Sequence, residues 1–126
     1  MVLDHIGIVN KSEEEALRFY HDILGLEKIK DSVSTADLSK QLFSIPRDIK
    51  MVVFGKGGVK IEVFILPEFT HPSPNIPHLG IQIENLEQLL ERAKGAGAKV
   101  ITGKRGDKTV YFIEDFSGNM IEVKPV

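Results

Sequence analysis

The chain repeats itself, and the repeat carries polar residues. His5-Ile6-Gly7-Ile8 returns as His78-Leu79-Gly80-Ile81, and Ile61-Glu62-Val63 returns as Ile121-Glu122-Val123. A duplication limits the fold to two equivalent modules, each opening on a His and closing near a Glu. Two imidazoles and two carboxylates suit a divalent transition metal. With no cysteine, a thiolate zinc site, a disulfide framework and a cysteine nucleophile are excluded, so the chemistry falls to His, carboxylate, hydroxyl or a bound ion.

Patterning around the repeat reads as βαβββ twice. Leu3 to Val9 is expected as a strand. Ser12 and Glu15 have capping-box spacing ahead of an apolar stripe from Ala16 to Leu24, and Gly25 suits the stop. Leu26 to Ser32, Ile49 to Phe54 and Val59 to Leu66 are the remaining strands of module 1 (1–66), the last two joined by a glycine-rich hairpin. Between them, Val33 to Pro46 reads as a loop with one or two helical turns lying over the site. Four of the six prolines fall in 67–77, which marks a semi-rigid connector. Module 2 (78–126) repeats the plan, with His78 to Glu84, an Asn85/Gln88 cap, a helix stopped at Gly97, and strands over Lys99 to Thr102, Thr109 to Ile113 and Asn119 to Lys124.

Strand parity turns each Glu toward a cavity or water. In both repeats the branched neighbours of Glu62 and Glu122 take the opposite face, the one available for packing. His5 and His78 each share a face with the Gly two residues on, leaving room beside the imidazole. His21 and His71 have no repeated partner and are expected to face solvent. Lys99, Lys104, Arg105 and Lys108 form a small basic cluster that reads as a solvated loop or as a contact for the carboxylate or phosphate of a carrier thiol. Composition narrows the partners: at a net charge of -2 nothing favours nucleic acid or an anionic membrane, so a small-molecule substrate and a cytoplasmic location are expected.

Five stretches together resemble the vicinal oxygen chelate superfamily, which holds glyoxalase I, the extradiol dioxygenases and the bleomycin and fosfomycin resistance proteins. They are Asp4 to Ile8, Phe19 to Leu26, Lys60 to Val63, His78 to Ile81, and Tyr111 to Asn119 leading into Ile121-Glu122. The resemblance covers the whole chain. It implies an α+β fold in which two βαβββ modules make a cupped half-barrel around one metal (Zn, Ni, Co, Mn or Fe), and a homodimer. Short glyoxalase I proteins are the most similar members, with His5, Glu62, His78 and Glu122 at their ligand positions. That likeness implies a metal-dependent lyase or isomerase acting on a thiohemiacetal of a 2-oxoaldehyde through an enediolate, with Glu122 as base and Glu62 as a stabilising ligand. The alternatives are an epimerase of the methylmalonyl-CoA type, whose members carry Gln at position 62, and a non-catalytic module binding a small molecule or antibiotic. The chain departs from glyoxalase at Asn10 and Ile65, where glutathione-contacting Arg and Asn are expected, and at Asp115-Phe116-Ser117-Gly118, where the usual turn is Asp-Pro-Asp-Gly.

Overall fold

A computed structural model describes residues 1–126 as two compact units, Met1–Phe69 and Thr70–Val126. In the first unit β1 (Ile6–Asn10) leads to α1 (Glu13–Ala16), and β2 (Glu27–Ser34), α2 (Ala36–Phe43), β3 (Ile49–Lys56) and β4 (Val59–Ile65) follow. The sheet order is β1-β4-β3-β2, with β1 parallel to β4 and the other pairs antiparallel. The second unit repeats the plan. Its strands β5 (His78–Ile83), β6 (Lys99–Arg105), β7 (Lys108–Glu114) and β8 (Met120–Pro125) lie in the order β5-β8-β7-β6, and α3 (Leu86–Gly95) packs beside them. The fold is α+β, two open four-stranded sheets with helices.

Local chemistry explains the elements. Ser12 Oγ accepts the Glu15 backbone N–H at 3.1 Å, and Asn85 Oδ1 accepts that of Gln88 at 3.1 Å, satisfying donors that a helix start leaves unpaired. After Ala16 the first helix widens into a π-helical stretch, Leu17–Ile23, with Leu24 N–H bonded to Phe19 O at 3.0 Å. The sequence pattern predicts an ordinary helix there. The wider turn places Ala16, Phe19, Tyr20 and Ile23 together in the core, where the Tyr20 ring lies 5.0 Å from Phe19 and 5.6 Å from Phe54. Gly57 and Gly58 both have positive φ (55° and 88°), the conformation of a two-residue hairpin whose twist matches its strands.

The segment between the second and third strands separates the halves. In the first unit it holds α2, whose N-terminus is closed by Thr35 Oγ1 and by Asp48 Oδ1, which accepts the Ala36 N–H at 2.7 Å. In the second it shrinks to a tight β6–β7 hairpin. The connector is not loose either: Asn75 Nδ2 donates to Gly118 O at 2.6 Å, and His71 Nε2 is 2.8 Å from Asn119 Oδ1. No helix is long and apolar enough to cross a membrane.

Candidate metal centre

Each unit brings one His against one Glu, and register explains how. Gly7 lies opposite Glu62 and Gly80 opposite Glu122, the same position in both parallel pairs. Residues directly opposite share a face, as do i and i+2, so His5 and Glu62 become diagonal neighbours across Gly7, and His78 and Glu122 across Gly80. Glycine leaves that diagonal open. A Cβ at Gly80 would sit 3.9 Å from Glu122 Oε2. The opposite face is the core, where Ile61, Val63, Ile121 and Val123 are all buried.

The resulting distances are 3.1 Å for His5 Nε2 to Glu62 Oε2 and 3.5 Å for His78 Nε2 to Glu122 Oε2. Two donors about 2.1 Å from one ion lie roughly 3.0 Å apart at right angles and roughly 3.4 Å apart at a tetrahedral angle. Both pairs fit this spacing. Their ring orientation fits as well: His78 Nδ1 is 2.9 Å from the Ile76 carbonyl, which only accepts, so Nδ1 carries hydrogen and Nε2 is left with its lone pair free. His5 Nδ1 is held at 2.6 Å by Asp4 Oδ2. Hydrogen bonds from His5 and then from Lys60 hold the Asp4 carboxyl below its usual range, keeping it ionised as the acceptor. A ring fixed this way by a carboxylate or carbonyl is the arrangement that presents histidine to a metal. An Nε2 lone pair facing a carboxylate is repulsive unless a cation, proton or metal ion, lies between them. Neither unit by itself gathers a third ligating side chain around its pair.

The surroundings of the two pairs differ. Around His5 and Glu62 lies a cavity of about 420 Å³ bounded by Val33, Leu38, Leu42, Phe43, Met51 and Phe64, so α2 does lie over this part of the site. Phe43 stacks edge-on to Phe64 at 5.5 Å. Around His78 the brace is aromatic: Phe112, directly opposite Glu122 in the sheet, meets the imidazole edge-on at 5.0 Å.

Sequence reasoning gave no role to Asp4 or Phe112, and it located the Asp115-Phe116-Ser117-Gly118 turn without its contacts. Asp4 adjoins His5, and Phe112 follows from counting register, so both had a signal. The contacts of the turn had none. Asp115 Oδ1 accepts the backbone N–H groups of Ser117 (2.9 Å) and Asn119 (2.8 Å), while Oδ2 accepts Asn119 Nδ2 at 2.8 Å. Asn119 therefore offers only its oxygen to His71, which must donate. His71 is thus half-buried over Gly118 rather than facing solvent, and it helps fix the strand that carries Glu122. His21 is exposed, although its Nδ1 lies 2.8 Å from Leu26 O.

The family model described as Glyoxalase/Bleomycin resistance protein/Dioxygenase superfamily matches residues 2–123. The chain belongs to that superfamily. Among solved structures, a glyoxalase family protein from Bacillus cereus is 14% identical with a TM-score of 0.76, covering 98% of this chain and 92% of that one. A glyoxalase family protein from Enterococcus faecalis is 19% identical (TM-score 0.72, 96% and 94% covered). The fosfomycin resistance protein FosX from Listeria monocytogenes, solved with Mn(II) and a sulfate ion, is 21% identical (TM-score 0.67, 98% and 91% covered). At these identities the likeness concerns the fold. No curated protein matches the chain. Superfamily membership makes enzymatic activity with a divalent metal plausible.

Proposed function

We propose that His5, Glu62, His78 and Glu122 together hold one divalent ion (Zn, Ni, Co, Mn or Fe) and that the protein is a metal-dependent lyase or isomerase. The observation that carries this reading is the duplicated pair: two histidines, each with Nδ1 held by an acceptor and Nε2 at ligand spacing from a carboxylate. A bound divalent ion would supply Lewis acidity toward two neighbouring substrate oxygens. The chain's own residues do the rest. Glu122 takes the proton from the substrate carbon and returns it to the adjacent one, as expected of a positioned general base. Glu62 stays a ligand. Asp4 and the Ile76 carbonyl hold the imidazoles in the coordinating tautomer, and α2 lines an apolar cavity beside the first pair. The substrate class is a thiohemiacetal of a 2-oxoaldehyde, converted to a thioester.

Metal analysis of the purified chain, followed by an activity screen over hemithioacetals, methylmalonyl-CoA and catechols, tests the reading. About one ion per chain, with turnover of hemithioacetals alone, is expected. A metal-free protein that gains neither metal nor activity on incubation with the five ions would overturn it.

A further inference from the structure

The β6–β7 hairpin sets Arg105 directly opposite Lys108. Like charges placed opposite one another destabilise an antiparallel pair, and although Asp107 lies in the turn between them, it makes no ion pair with either. Of the four basic residues in the hairpin, Lys99 pairs with Glu114 (3.7 Å) and Lys104 Nζ donates to Thr109 Oγ1 (2.8 Å). Arg105 and Lys108 have no such partner, and both are exposed.

Register then says which face they occupy. Opposed residues share a face, and so do residues two apart, so Lys108 lies with Val110 and Phe112 and, across the β7–β8 pairing, with Glu122. Arg105 lies with Gly103 on that same face, and a Cβ on Gly103 would meet nothing within 4 Å. Lys124, two residues past Glu122, reaches back to its carboxylate at 3.3 Å. Arg105, Lys108, Val110, Glu122 and Lys124 bound one cavity of about 560 Å³ within the second unit. Its size suits a small molecule. Glu122 repels an anion at one end of this cavity, while the unpaired cations attract one at the other.

We infer that Arg105 and Lys108 bind an oxyanion on the substrate, a carboxylate or a phosphoryl group remote from the reacting carbon. This assignment deepens the proposed function and rests on Glu122 marking the reactive end. Four residues at ~3.4 Å each put Lys108 about 14 Å along β7 from Phe112, a span that the lysine side chain shortens by reaching back. The substrate is accordingly bifunctional, with chelating oxygens at one end and a negative group several bonds away. A planar guanidinium beside an ammonium favours an oxyanion that takes paired donors.

Anion binding can be read without metal or turnover, which separates failure here from failure of the proposed reaction. The full chain is titrated with methylphosphonate and, separately, with propionate, following the backbone amide resonances of Gly103 and Val110. Saturable shifts are expected in the wild type, weakened about tenfold or more in R105Q/K108Q. In K108E the new carboxylate pairs with Arg105 across the strands, so the hairpin stays folded and binding should be lost. Tighter methylphosphonate identifies a phosphoryl group and tighter propionate a carboxylate. Absence of saturable shifts with both anions in the wild type, or wild-type affinity in K108E, would overturn the inference.

Discussion

The two halves of this chain hold the same pair of side chains in the same register and surround them with opposite chemistry. In the first, His5 and Glu62 lie beside an apolar cavity roofed by α2, and a charged neighbour, Asp4, orients the histidine. In the second, a backbone carbonyl and a phenyl ring orient His78, α2 has no counterpart, and the cavity beside Glu122 is lined by cations. Duplication therefore preserved the strand positions that place the donors, while divergence concentrated in the segment between the second and third strands. Changing that segment costs little. It joins strands at their ends, so its length alters neither the sheet register nor the face on which a Glu projects.

The largest difference between the halves is expected in the carboxylates. Glu122→Gln keeps an oxygen for the metal and removes the base, so the rate should fall by ~10² to 10⁴ with part of the metal retained. Glu62→Gln should be milder, because only a ligand is weakened. Solvent isotope exchange at the substrate carbon, measured with metal content, checks the order. Exchange at the wild-type rate in metal-loaded Glu122→Gln would transfer the role of base to Glu62.

Next come the groups that orient the rings. Asp4→Asn removes the ionised acceptor from His5 and should lower metal affinity by ~10- to 100-fold. Phe112→Ala takes only an edge-on aromatic contact of ~0.5–1.5 kcal/mol from His78 and leaves the Ile76 carbonyl in place, so the metal should be less affected. Competition with a chelator would measure both. Equal losses would mean that the two rings are held alike despite their different braces.

A third contrast lies in the sheet edges. In each unit the outer strands are the first and second of the four, and β2 protects itself with Lys28, Lys30 and Asp31 and a bulge between Lys28 and Lys30. β1 and β5 carry no Asp, Glu, Lys or Arg. We expect a homodimer that covers them, with sedimentation at micromolar concentration as the check. Gln82→Lys, on the exposed face of β5, should shift the equilibrium toward monomer.

How much of this was legible in the sequence depends on the range of the interactions. The register of Glu62 and Glu122 was readable because strand parity is local and a repeated apolar frame flags the polar residue inside it. The caps at Ser12 and Asn85 were readable for the same reason. The π-helical stretch was not, since it answers to the packing of Tyr20 against Phe19 and against Phe54, a residue remote in the chain. His71 resembled a solvent-facing residue because its partner, Asn119, is a whole module away. The β1 start at Ile6, later than the expected Leu3, has a simpler cause: Met1 to His5 have no strand pairing. Replacing Gly118 by Ala probes that turn. Its φ of 92° disfavours a side chain and the new Cβ would come within 3.1 Å of His71 Cδ2, so a loss of ~1–3 kcal/mol in urea unfolding is expected.

The smallest effect concerns a charge network that only the first unit possesses. Glu13 pairs with Lys28 (3.0 Å) and with Lys50, and Lys28 also pairs with Asp31 (2.8 Å), tying α1 to β2 and β3. Hydrogen bonds from Lys50 and then Lys28 hold the Glu13 carboxyl below its usual range, while hydrogen bonds to Asp31 and then Glu13 push the Lys28 ammonium up. The signs follow from linkage. A depressed carboxyl contributes stability above its unfolded pKa of ~4.3 and loses it as pH falls through the lower folded value. A raised ammonium contributes below ~10.4 and loses it as pH rises through the higher folded value. The network should therefore be flat across neutral pH and fade at both extremes. Solvent reaches both ends of the network, so screening keeps its contribution small. Glu13→Gln should lower Tm slightly at pH 7, by less in high salt, and should not change it near pH 2, where the wild-type carboxyl is also neutral. An equal loss at pH 2 would assign the effect to packing of the Glu13 side chain against the sheet instead of to its charge.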